Sequence, residues 1–302
     1  MDSLLHIKTF VAVARLKGFS EAARQLKITP SVVAKRIAQL EHELGTRLFE
    51  RTTRTVKLTE AGEKLLARAG VLVANFEELL QSVERDESKP AGHIRIMAPT
   101  TLTTLYLNQV FADFLQQHDQ ITMEVAMVDA STNPAEQGFD IGISGRSASY
   151  EGVVDIPLCP VNLVICASPA YLKRRGSPTH PRELTEHDCL MFKPSGPSWQ
   201  FQSSRGLISI EMKARLLADD NATLLRAAIN GTGIAALPMY IAREALATGV
   251  LQQVLEQFPP QQMWFKVYVP RRRRGVARVE ALIEFLAGRL ASEEWMRDVA
   301  LP

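Results

Sequence analysis

The chain has 302 residues, 46% apolar and 23% charged, which supplies core for two or three domains and excludes wholesale disorder. The net charge of +2 conceals an asymmetry: residues 1–60 carry eleven Lys+Arg against six Asp+Glu, and the remainder is net acidic. Positive charge gathered on one small segment is the electrostatic footprint of a nucleic-acid partner. No stretch approaches the roughly 18 uninterrupted apolar residues of a membrane span. The N-terminus, MDSLLHIKTF, has an early acid and no small-residue cleavage site, so a cytoplasmic protein with no membrane partner is expected.

The first predicted helix runs from Ser3 to Leu16 and stops at Gly18. Residues 20–54 then read as two short helices, a tight connection and a basic turn. Ser20 is placed to cap the first of these, and Thr29 with Pro30 to start the second. On that second helix Val33, Ile37, Leu40 and Leu44 share one face, and Gly45 ends it. The opposite face carries Ser31, Ala34, Lys35 and Ala38. Small residues let a helix approach closely, and a lysine reaches a phosphate or a base edge, which is how a recognition helix enters a major groove. Ser31, Val32 and Lys35 are expected nearest the bases. Arg36, Arg51 and Arg54 are expected on phosphates, with Thr52 in the same interface. A plain amphipathic helix with a solvated face is the competing reading; the capped and Pro-started helices and the Arg-rich ribbon favour helix-turn-helix.

Residues 59–86 form a long predicted helix on which Leu65, Ala69, Leu72, Phe76, Leu79 and Val83 repeat as a heptad seam. Packing on the chain's own core and a homodimeric coiled coil both account for such a stripe. Residues 86–92, DESKPAG, read as a hinge. From His93 strands and helices alternate: strand 94–98, helix 101–117, strand 121–128, a short helix near Pro134–Gln137, and strand 139–144. A second such unit begins near Leu163 with strand LVICAS and helix PAYLKRR. It continues through helix 221–230, the GTG turn at 231–233, strand IAALP and helix 238–247. Strand 264–270 and helix 276–291 end the pattern. This is βαβ organisation, a mostly parallel sheet with helices on both faces. The RRRR run at 271–274 is expected to be a solvated turn.

In open α/β folds ligands bind beyond the carboxyl ends of strands and at helix N-termini. Pro99, Thr100 and Thr101 occupy such a place and are candidates to hold a carboxylate, with Ser144 and Arg146 at the end of another strand. Phe192, Trp199 and Phe201 are candidate apolar walls. Each has a plainer reading: the threonines cap a helix, Arg146 is a surface residue, and the aromatics are core. The six histidines form no HExxH pair, and no GxSxG, P-loop or GxGxxG occurs, so an enzyme is the weaker alternative and neither metal nor cofactor is expected. Cys159, Cys166 and Cys189 show no metal-ligand spacing and are read as reduced, buried thiols, with a redox sensor as the minor option.

The run FSEAARQLKITPSVVAKRIAQLEHELGTRLFERTTRTVKLTEAG resembles the winged helix-turn-helix of LysR-type transcriptional regulators. Two later stretches, ASPAYLKRRGSPTHPRELTEHDCL and AAINGTGIAALPMYIAREALATGVLQQVL, resemble the effector domain of one large LysR subgroup. The resemblance implies an all-α winged helix-turn-helix over 1–58, a dimerising linker helix over 59–88 and a hinge over 89–92. It further implies a two-subdomain, periplasmic-binding-protein-like α/β effector domain, subdomain I over 93–163 and 266–302 and subdomain II over 164–265. The partners it implies are double-stranded promoter DNA read at interrupted palindromes, a small-molecule effector taken to be an organic anion, a second copy of the chain with tetramers built from two dimers, and RNA polymerase. Two positions depart from the family pattern: Ala34 stands where Ser is usual, and Ser144 where the subgroup often has Arg, which puts base preference and effector identity in question.

Overall fold

The computed structural model describes residues 2–51, 56–82, 90–130, 132–145 and 148–292. The chain forms two compact units, one of residues 1–89 with 133–139 and one of residues 90–132 with 140–302.

In the first unit α1 (Asp2–Leu16), α2 (Phe19–Gln25) and α3 (Pro30–Leu44) pack around Phe10, Val13, Ala22, Val33 and Ile37. Gly18, not Ser20, precedes α2, and its carbonyl accepts from the Ala22 N–H at 3.2 Å. The helix starts early enough to carry Phe19 onto Phe49, with ring centroids 5.9 Å apart. Thr29 and Pro30 open α3 as expected, though the Thr29 hydroxyl meets Ser31 Oγ (2.9 Å) rather than a backbone N–H. Gly45 ends α3 at φ +64, and Gly45 and Thr46 donate back to His42 and Glu41; a side chain would be strained in that left-handed backbone. Leu44 departs from its expected face and is exposed.

The wing is an antiparallel ribbon, β1 (Phe49–Arg51) against β2 (Val56–Leu58), added to an otherwise helical unit. Glu41 fixes its base by accepting from the Leu48 and Phe49 N–H groups at 2.9 and 3.3 Å. α4 (Glu60–Ser82) follows and approaches the ribbon so closely that a Cβ at Gly62 would overlap the Leu48 carbonyl oxygen. The heptad seam divides along α4. Ala69 is buried and Leu65 half-buried on the unit's own core, whereas Leu72 is 47% exposed. Phe76 is half-buried, with Lys8 Nζ 5.4 Å from its ring centroid. Val83, Thr52 and Arg54 lie outside the described residues, as do the side chains of Leu79 and Arg51.

The second unit holds two five-stranded sheets. The first lobe begins with β3 (Gly92–Ala98), so Gly92 belongs to a strand rather than to a hinge. α5 (Thr100–Leu102), a π-turn over Thr103–Leu107 and α6 (Asn108–Gln117) replace the single helix expected over 101–117. The π-turn absorbs one residue of helical phase, and Leu107, Val110, Phe111 and Phe114 all reach the core. β4 (Ile121–Met127), β5 (Ile141–Ser144) and β6 (Val153–Val161) follow. The stretch near Pro134 is a turn closed by the Phe139 N–H on the Pro134 carbonyl (2.9 Å), not a helix.

The second lobe contains β7 (Leu163–Ala167), α7 (Pro169–Arg175), β8 (Cys189–Phe192), β9 (Ser198–Ser203), β10 (Gly206–Glu211) and β11 (Ala214–Ala218). It continues with α8 (Asn221–Ile229), β12 (Ile234–Pro238), α9 (Met239–Ala247) and β13 (Gln252–Gln253). The GTG turn keeps its glycine because a Cβ at Gly233 would overlap the Asp188 carbonyl oxygen. β14 (Met263–Pro270) and α10 (Ala277–Ser292) then return to the first lobe. The sheet orders are β4-β3-β5-β14-β6 and β11-β8-β12-β7-β13. In each, one strand is reversed against the others, β14 in the first and β7 in the second.

The chain crosses between lobes at Asn162 and again at Gln262, and the two crossings are joined by Gln262 Nε2 donating to Asn162 Oδ1 at 3.2 Å. The RRRR run is not wholly solvated. Arg273 is 5% exposed and pairs with buried Asp140 at 2.7 Å, and Arg274 pairs with Glu280 at 2.9 Å. A charge that deep is tolerated only beside its counter-charge.

Candidate functional site

α3 turns Val33, Ile37 and Leu40 into the core, which leaves Ser31, Val32 and Lys35 exposed on the opposite side. Ala34 lies half-buried between the two faces. Arg36 is half-buried, and its Nη1 donates to Thr9 on α1 at 3.4 Å. Its guanidinium is therefore tethered, unlike the free Lys35 side of the helix. The backbone of β1 places Arg51 at the ribbon's end, opposite Val56. The unit thus presents a helix with a small, basic outer face and a ribbon beside it.

The effector-side candidates meet at a cavity of about 440 Å³ between the two lobes. The first lobe contributes Pro99, Asp129, Ser144 and Phe265; the second contributes Phe192, Trp199 and Asn221, together with Tyr240 from the start of α9. Pro99, Ser144, Phe192 and Trp199 therefore lie where the sequence placed them. Phe201 does not: it is fully buried in the second lobe's core and paired across a bridge to Pro260. Alternation along β9 sends Trp199 and Phe201 to the same face, but Trp199 stands nearer the strand's open end. Arg146 lies outside the described residues.

The two threonines are engaged by the chain's own acids. The Thr100 N–H donates to both Asp129 carboxylate oxygens at 3.2 and 3.3 Å, so the helix N-terminus expected to receive a carboxylate already faces one. The Thr101 hydroxyl, almost wholly buried, donates to Asp220 Oδ1 at 3.0 Å and ties the first lobe to the second. Asp220 is also the cap of α8, accepting from the Ala222 and Thr223 N–H groups at 3.2 and 2.9 Å. Burial alone would raise the Asp220 carboxyl, but hydrogen bonds from Thr223, Ala222 and Thr101 outweigh it and hold the group below its ordinary value. Asp129 goes the other way: burial, reinforced by the nearby Asp220 and Asp219 charges, lifts it despite the Thr100 hydrogen bonds.

Asp129, Tyr240, Phe265 and the amides of Gln200, Gln261 and Gln262 line the cavity without having been singled out in the sequence. Asp129 was findable, since it lies two residues past the carboxyl end of strand β4. Gln261, Gln262 and Phe265 arrive through the chain's return crossing, Gln200 and Tyr240 from the second lobe's β9 and α9, and none carries a local signal. The three cysteines are buried, and burial pushes each thiol up to about 12. His187, Asp188 and Cys189 do not converge: His187 Nδ1 meets the Tyr171 hydroxyl (3.2 Å), Asp188 pairs with Arg215 (2.9 Å), and the Cys189 thiol donates to the Leu184 carbonyl (3.4 Å). Among the described residues no group of three or more His, Cys, Asp or Glu could hold a metal ion, and no helix is long and apolar enough to cross a membrane.

A basic-faced winged helix-turn-helix joined in sequence to a two-lobed α/β unit with a cleft defines a ligand-responsive DNA-binding regulator. Comparison with known proteins gives the family. The profile for the bacterial regulatory helix-turn-helix protein, lysR family, matches residues 4–63, and the profile for the LysR substrate binding domain matches residues 87–291. The chain belongs to the LysR family of DNA-binding transcriptional regulators. It is 32% identical over 292 residues to the uncharacterized HTH-type transcriptional regulator YhjC of Escherichia coli K12, covering 95% of this chain and 98% of that one. It is 31% identical to YcaN of the same organism, covering 92% of each. Among solved structures, the full-length Vibrio cholerae virulence activator AphB superposes with a TM-score of 0.64 at 25% identity, covering 94% of this chain and 98% of that one.

Proposed function

We propose that this regulator binds interrupted palindromic promoter sites as a homodimer, with two such dimers forming a tetramer, and that a small molecule in the inter-lobe cleft modulates its action. In this reading Ser31, Val32 and Lys35 meet base edges, while Arg36, Arg51, Thr52 and Arg54 position the helix on phosphates and specify no sequence. Contact with RNA polymerase at the promoter belongs to the same reading. The observation that carries the DNA assignment is the division of α3 into a core face and an exposed Ser31–Val32–Lys35 face. The dimer assignment rests on Leu72, an apolar residue left exposed on a helix whose neighbouring Ala69 is already used by the core.

Leu72→Asp is the cleaner disruption of the seam, because Phe76 also packs near Lys8 within its own unit. Sedimentation of the full chain at micromolar concentration should show a smaller species for the variant, with weakened binding to paired half-sites and unchanged contact to a single one. An unchanged oligomer would overturn the seam assignment. A ligand changes transcription only if it prefers one arrangement of the lobes. The Thr101–Asp220 hydrogen bond across the cleft supports a reading in which the lobes have a defined closed arrangement.

A further inference from the structure

We infer that the ligand of the inter-lobe cleft is an amine-bearing molecule with an apolar or aromatic body, its cationic or hydrogen-donating nitrogen received by Asp129 and its body held between Trp199 and Tyr240. This rests on the cleft being the effector site. The geometry opposes an organic anion, the sequence-based expectation. The anion-accepting helix N-terminus at Thr100 is occupied by the Asp129 carboxylate. Among the described residues lining the 440 Å³ cavity, Asp129 is the one that bears charge; the remainder are aromatic, aliphatic, hydroxyl and amide side chains.

The adjoining opening tells the same story. It is lined by Asp129, Asp219 and Asp220 with Lys193 as the single base, so the field at the entrance is net negative. An incoming carboxylate would face that field while losing its hydration, with no cation among the described residues lining the cavity itself to receive it. An ammonium group gains on both counts, and aromatic faces add an attraction of their own. The elevation of Asp129 by burial and by its acidic neighbours fits a carboxyl that lacks its counter-charge until a ligand supplies one. The cavity lies within the range of about 300–1,000 Å³ that takes drug-sized ligands.

The test compares three probes of similar size against the full chain by calorimetry: 2-phenylethylamine, 2-phenylethanol and 3-phenylpropanoate. The amine should bind at least tenfold more tightly than the carboxylate. Asp129→Asn retains an oxygen for the Thr100 N–H and removes the charge; it should abolish the amine's advantage over the alcohol. A carboxylate that binds more tightly than the amine, an amine indifferent to Asp129→Asn, or no binding of any probe overturns the inference. Binding of the alcohol with no preference for the amine also overturns it, while leaving the cleft as a ligand site. Loss of alcohol binding on Ala236→Trp, which adds bulk to the cavity lining, shows that the probe sits in the cleft, so failure of the cleft reading and failure of the amine assignment are separately visible.

Discussion

The outer face of α3 and the inter-lobe cleft are built in opposite ways. The α3 face is what remains after an amphipathic helix has satisfied its core, and Ser31, Val32 and Lys35 are exposed within two turns of one helix. The cleft is assembled from residues more than a hundred positions apart, and its polar groups are already bonded to one another, as in the Thr101–Asp220 and Thr100–Asp129 pairs. An open face of this kind changes affinity one contact at a time. A pre-bonded cleft responds as a unit, because a ligand entering it must replace or bridge bonds that the protein makes with itself.

The largest effect that sharpens this contrast is expected at Arg273. Arg273→Ala removes the ion-pair partner of buried Asp140, which keeps the Arg95 N–H and the nearby Arg278 charge, so the cost in the second unit should fall at the lower end of the roughly 3–5 kcal/mol of a broken buried pair. Urea unfolding followed separately by effector-unit fluorescence and by DNA binding should show the loss confined to the former. Equal loss in both would mean the units unfold as one. Next in size, Lys35→Ala should reduce discrimination between target and random DNA by about 1–3 kcal/mol. Arg54→Ala should weaken all sequences alike and lower the salt slope by about one. Fluorescence anisotropy over a salt series measures both, and a sequence-selective Arg54 effect would break the proposed division between base and phosphate contacts.

Thr101→Val removes the hydroxyl that reaches Asp220 and leaves the α8 cap in place. A loss of about 1 kcal/mol in lobe closure is expected, read as a several-fold change in effector affinity with DNA binding by the unliganded protein nearly unaltered. The smallest effect is none at all. With each thiol raised to about 12, the reactive thiolate is on the order of one part in ten thousand at pH 8. Ellman's reagent should therefore find no fast-reacting cysteine in the folded chain, and millimolar peroxide should leave DNA binding unchanged; a fast thiol would revive the redox option.

The same contrast explains what the sequence made legible. Val33, Ile37 and Leu40 identified α3 because helical periodicity is local, and the exposed face followed by subtraction. Ser20 misled because the start of α2 is set by a tertiary contact, the packing of Phe19 on Phe49. In the cleft, Pro99 and Ser144 were reachable from strand ends and Trp199 as an apolar wall, whereas Tyr240 and Phe265 depend on how α9 and β14 fold back across the lobes. Phe201 and Arg273 show the limit most plainly. An aromatic two residues from a cavity wall is core, and one arginine in a run of four is a buried ion-pair partner. Neither fate can be read without knowing which residues stand opposite, in Arg273's case Asp140 and in Phe201's case Pro260.

The paired crossings at Asn162 and Gln262 have a mechanical consequence. Two straps lying side by side, with β6 and β14 paired as far as Val161 and Met263, would resist twisting and sliding more than folding about the line through them. The lobes then have one soft coordinate, an angle. A ligand lodged near this axis acts on the short arm of a lever, and the rims of the lobes sweep the long arm. Filling beside Trp199 would be amplified toward the far edge, and cutting the stitch at Asn162, which does not line the cavity, would let that edge wander.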